Sequence, residues 1–188
     1  MARPRLTRAT AAGAAAALLI LGPAIAVPAA AAGAVVAAPA AVAASPLADA
    51  TTISRAARTL RAAVASQLGG YLTTYGDRFT EAERSQLTDY KANADRQLAG
   101  VVVATERLRR AIDTAGTPLQ IRTAARAAQT AHTRAKSAAD ASYAQARVIA
   151  EPRLSLFERV QALSDYSRMM GRFDVLGDRI NALAKAYA

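Results

Sequence analysis

Between Thr80 and Ala115 the chain keeps one spacing without a break: Leu87, Tyr90, Ala94, Leu98, Val101, Thr105, Leu108 and Ile112 follow one another at intervals of three or four residues. That spacing puts all of them on a single face of a helix. Thr80 stands at its head with Glu83 three residues on, the pattern of a reciprocal capping box. Gly116 and then Thr117-Pro118 mark its end and the start of another helix. A helix of about 35 residues is roughly 50 Å long, and one bare apolar stripe does not keep it folded alone in water. It demands partners of matching length.

The rest of the chain supplies three. After Ser45-Pro46, a cap and first-turn pair, Ile53, Ala57, Leu60, Val64, Leu68, Tyr71 and Tyr75 trace one face of a first helix over about 47–75. Gly69-Gly70 lowers its helix propensity by about 1 kcal/mol per glycine, so a kink or fraying is expected there. The second helix covers 81–115. The third, 118–150, has a face built mostly of alanine: Ile121, Ala125, Ala128, His132, Ala135, Ala139, Tyr143 or Ser142, Ala146 and Ile149. Small residues allow close backbone approach but bury little area. Glu151-Pro152 breaks the register, and a fourth helix over 153–187 carries Leu156, Phe157, Val160, Leu163, Met170, Phe173, Leu176, Ile180, Leu183 and Tyr187, with bends expected at Gly171 or Gly177. Short connections make sequential helices antiparallel. The expected fold is all-α, an up-down-up-down four-helix bundle over 47–188. No segment alternates with period two, which predicts no sheet, and no 20–50-residue repeat is evident beyond the similar helix lengths.

Ahead of the bundle, Arg3, Arg5 and Arg8 precede an uncharged run that lasts until Asp49, with Ala14–Leu21 as its apolar centre. A basic start, a short apolar core and small residues around an A-x-A site predict a secretory signal peptide over 1–32, with cleavage near Ala32 or as late as Ala44. The absence of paired arginines favours the general secretory route. The alternative is an uncleaved anchor, since Ala9–Val27 is just long enough to cross a bilayer. Residues 33–46 are rich in Ala, Pro and Val and read as a tether. The expected location is therefore extracytoplasmic, at the cell envelope, with membrane contact only peripheral unless the signal segment is uncleaved.

The sequence contains no cysteine, which removes disulfides, thiolate catalysis and thiolate zinc sites. It has no phosphate loop, dinucleotide fingerprint or nucleophile elbow. His132 is the only histidine and has no second His or Cys with which to share a metal, so no metal and no cofactor are expected. Helical enzymes place acids, Arg or His on the inward stripe; here the stripes hold no Asp, Glu, Lys or Arg apart from an ambiguous Asp174. Asp174 and Asp178, one turn apart, read as a solvated face. No catalytic constellation emerges.

Charge is unevenly spread. In an antiparallel bundle one end collects the start of the first and third helices and the end of the second and fourth. That end holds eleven cations and five acids, against ten and nine at the other. Cations near a helix C-terminus complement its dipole, but Arg55, Arg58, Arg122 and Arg126 lie near helix starts. The expectation is an exported, non-enzymatic bundle whose basic end, through Arg55, Arg58, Arg107, Arg110, Arg122 and Arg126, contacts anionic lipid or wall polymer. Nucleic acid is a less fitting partner for an exported chain, and self-association of patterned helices would be unsurprising. Two other readings accompany it: a protein-interaction or chaperone-like module using an apolar face opened at Gly69-Gly70 or Gly171, and a small-ligand or haem carrier centred on His132.

Overall fold

The computed structural model describes residues 45–187. The expected signal peptide, its cleavage site and most of the tether lie outside these residues. Four helices follow in order: α1 (Pro46–Tyr75), α2 (Glu81–Asp113), α3 (Pro118–Ala150) and α4 (Leu156–Lys185), with no strand among the described residues. The described residues are all-α with four α-helices, as the periodicity predicts.

The helix boundaries have local causes. Ser45 accepts a hydrogen bond from the Ala48 amide and Pro46 opens the first turn. The starts of α2, α3 and α4 are complete capping boxes: Thr80 with Glu83, Thr117 with Gln120, and Ser155 with Glu158. α2 ends in a Schellman motif. The Gly116 amide donates to the Ala111 carbonyl at 2.9 Å and the Ala115 amide to Ile112 at 3.1 Å. The left-handed residue there is Ala115, at φ 49°, and not the glycine. Gly116 is required for a different reason: a Cβ on it would lie 2.8 Å from the Ala111 oxygen.

Several expectations are corrected. The fourth helix starts at Leu156, because Glu151–Arg153 form a 3-10 turn instead. α1 continues through Gly69-Gly70 to Tyr75, and α4 continues through Gly171. Gly177 marks no end or interruption of α4; it makes room for a neighbour, since a Cβ there would stand 2.6 Å from Cε1 of His132. Ser142 is the buried partner of the Tyr143/Ser142 alternative.

α1 packs on α2 and α4, and α3 packs on the same two helices. Ser54 and Arg58 reach Glu106, while Arg61, further along α1, reaches Asp95, earlier on α2. Gln129–Asn181 and Lys136–Asp174 run in the same opposed sense between α3 and α4. Sequential neighbours are therefore antiparallel. The packed core occupies the half that holds the α2–α3 turn: Ile53, Leu60, Leu98, Leu108, Phe173 and Ile180 are among its buried side chains.

The two hairpins, α1–α2 and α3–α4, share a register longer than any 20–50-residue repeat. Arg78-Phe79-Thr80 and Arg153-Leu154-Ser155 stand 75 residues apart, each followed by a capping glutamate, Glu83 or Glu158. At the same offset the buried Leu98, Val101, Thr105 and Leu108 match Phe173, Leu176, Ile180 and Leu183. The hairpins are cross-pinned as well. Arg78 bonds Glu158 at 2.8 Å, and Arg153 bonds Glu83 at 3.1 Å, so each capping glutamate also holds the arginine of the other hairpin's turn.

Candidate functional site

The half of the bundle away from the core is hollow. α4 has buried residues only from Phe173 onward; in its first half Leu156 is 76% exposed, Phe157 78% and Val160 59%. These positions were expected to face inward. Burying a side chain of that size is worth about 1.5–3 kcal/mol, so a row of exposed ones is a patch that calls for a use. Leu156, Val160 and Leu163 instead form one wall of a partly open cavity of about 440 Å3, within the size range of small-molecule pockets. The opposite walls are Leu68, Tyr71, Leu72 and Tyr75 of α1, Leu87 and Tyr90 of α2, and Tyr143, Ala146 and Ala150 of α3. Phe79 and Leu154, buried on the two turns, complete the lining.

The sequence explains the hollow. The α3 face is alanine in both halves. In the packed half Phe173 of α4 and the leucines of α1, α2 and α4 fill the space beside it, whereas in the hollow half the seams are held by tyrosines. Tyr143 stacks on Tyr166 with ring centroids 3.6 Å apart, and the Tyr166 hydroxyl donates to Asp140. Tyr71 stacks on Tyr75 at 5.8 Å and donates to Asp165 at 2.7 Å. Burial first, and the carboxylate partner second, push the Tyr71 and Tyr166 phenols well above the usual range. They stay protonated donors, and α4 is fixed to both neighbours by phenol–carboxylate bonds at the cavity's edge.

Four charged residues join the lining: Lys91, Arg147, Glu151 and Arg159. Arg147 and Glu151 pair with each other. Arg159 donates its Nε to the Leu154 carbonyl at 2.9 Å. Lys91 has no ion-pair or hydrogen-bond partner among the described residues; Asp95, one turn on, is bound through both oxygens by Arg61. The expectation of charge-free inward stripes is thus overturned by two residues. Lys91 falls four residues after Leu87 and three before Ala94, and Arg159 three after Leu156, so both lie on the stripes. The spacing itself was the available signal. Asp174 points outward to Lys136.

The six arginines proposed from charge alone lie on three helices, α1, α2 and α3, and two of them have partners. Arg58 bonds Glu106, which Ser54 and Arg109 also hold. Arg122 donates to the Tyr187 carbonyl at 3.2 Å. Arg55, Arg107, Arg110 and Arg126 are exposed on three helices, without an ion pair among the described residues. His132 is buried in the core; its Nε2 lies 2.8 Å from the Phe173 carbonyl, an acceptor, so that nitrogen carries the proton and is already occupied. Among the described residues no helix is long and apolar enough to cross a membrane. Comparison with known protein families, with curated proteins and with solved structures finds no significant match for this chain.

Proposed function

We propose that this is an exported, non-enzymatic four-helix protein that binds a hydrophobic ligand at the cell envelope, in the cavity between α4 and the ends of the other helices. The observation that carries this reading is the apolar cavity itself, walled by exposed large side chains of a helix that is otherwise well packed. This differs from both alternatives read from the sequence: an apolar surface is used, but by a ligand and not a protein partner, and the ligand site is away from His132 and not opened by glycine fraying. Export rests on the N-terminal pattern of basic residues, apolar centre and small-residue cleavage site.

The test is binding of a neutral naphthylamine dye by the full chain. Wild-type protein is expected to enhance its fluorescence saturably, and Ala146→Phe, which fills the cavity from the α3 wall, to weaken binding at least about tenfold, the equivalent of about 1.4 kcal/mol. Equal binding by the two proteins would overturn the reading.

A second reading keeps the basic end as a surface for anionic lipid or wall polymer, and the exposed, unpaired Arg55, Arg107, Arg110 and Arg126 favour it. Salt-sensitive sedimentation with anionic but not neutral vesicles, lost in Arg107→Glu/Arg110→Glu, is the expected result. Binding that ignores salt and both reversals would remove it.

A further inference from the structure

We infer that the ligand of the cavity is a single-chain anionic amphiphile, a long-chain fatty acid, whose carboxylate sits on Lys91 and whose chain lies along the apolar wall of α4. The inference rests on the reading of the cavity as a binding site and adds what the site selects.

Three observations carry it. The first is shape. The α4 wall runs from Leu156 to Met169, about 20 Å at 1.5 Å per residue, so the cavity is elongated and suits a chain. The second is chemistry. Apart from its charged residues, the tyrosines, Gln67 and Ser142, the lining is aliphatic and aromatic, a surface against which a long-chain group buries its methylenes.

The third is charge. The pair Arg147–Glu151 is self-neutralised, which leaves the site two net positive charges, on Lys91 and Arg159. Arg159 is near the start of α4 and is exposed, whereas Lys91 is half-buried, ten residues into α2. Its ammonium lies beside Gly69 of α1, with Nζ 3.7 Å from where a Cβ there would stand. Asp95 is already spent on Arg61. The half-buried ammonium is attracted by Asp95 one turn on but makes no direct bond to it, because Arg61 holds both Asp95 oxygens. Lining an apolar cavity, it is complementary to an amphiphile's anionic head, and a charge-assisted bond to a carboxylate satisfies it.

The experiment is calorimetric titration of the full chain with saturated fatty acids of increasing length and with the chain-matched alcohols, below their micellar concentrations. Affinity for the acids is expected to rise about fourfold per methylene until the cavity is filled. Lys91→Met, which keeps the apolar stem, is expected to weaken dodecanoate binding about tenfold while leaving dodecanol binding unchanged, and Lys91→Arg to restore it. Dodecanoate binding that is unchanged in Lys91→Met, with dodecanol bound as tightly, would overturn the choice of an anionic head and leave the cavity reading standing. Failure of acids and alcohols alike to bind would overturn both.

Discussion

At the scale of single residues, the fold depends on a few positions whose role is steric. Gly177 and His132 form such a pair: the ring occupies the space a side chain at 177 would need and donates to the carbonyl one turn earlier on α4. Gly177→Ala is therefore expected to cost about 1–3 kcal/mol, the usual price of overpacking. In a His132→Ala background the same change should cost little, or gain from alanine's helix propensity. Chemical denaturation of the four proteins of this cycle measures the coupling, and additive effects would contradict the steric account. Ala115 is the converse case, an alanine held at φ 49° by the α2 cap. Ala115→Gly is expected to stabilise the protein by about 0.5–1 kcal/mol in the same assay. The stripe spacing placed His132 on the buried face of α3. It could not show that Gly177 stands opposite, because that pairing depends on how α3 and α4 meet and not on the pattern of either.

At the scale of elements, the capping glutamates act twice. Arg78 and then the Ser155 amide and hydroxyl lower the Glu158 carboxyl from 4.5 to about 2. A carboxyl depressed on folding contributes stability that is full above its unfolded value and is lost as pH falls through its folded value. The contribution of this pair should thus be complete above about pH 4.5 and gone near pH 2. Arg78→Gln is expected to lower the thermal midpoint at pH 7, with the gap to wild type narrowing steadily between pH 4.5 and pH 2. A gap that stays constant over that range would show that Arg78 acts through something other than Glu158. The capping box was legible from Thr80 and Glu83 alone, because such a motif is local. The second use of each glutamate was not, since Arg78 and Glu158 are 80 residues apart in the chain.

At the scale of the molecule, helix count and order follow from spacing, caps and short turns, and all of these survive. The hollow half does not follow from them. The apolar positions of α4 keep one period from Leu156 to Leu183, so nothing in that helix alone distinguishes a packed half from an open one. The alanine face of α3 lies along both halves, so the difference comes from the other residues α4 meets: leucines in the packed half and tyrosines at the seams of the open one. The basic end, by contrast, is a sum over residues that the structure disperses across several helices and partly neutralises in pairs. Charge counted along a sequence carries no information on which face each cation takes.

The shared 75-residue register has a practical consequence. Each hairpin presents an apolar face that the other covers, and the link between them, Thr114–Thr117, is a turn lying away from the cavity. The molecule is in this sense two keyed pieces on one string. Cut at Gly116 and produced as separate polypeptides, 1–115 and 116–188 are expected to reconstitute one another into a 1:1 helical complex, seen as co-elution and recovered helicity on mixing. Neither piece, deprived of its counterpart, has another surface on which to hide its stripe except a second copy of itself.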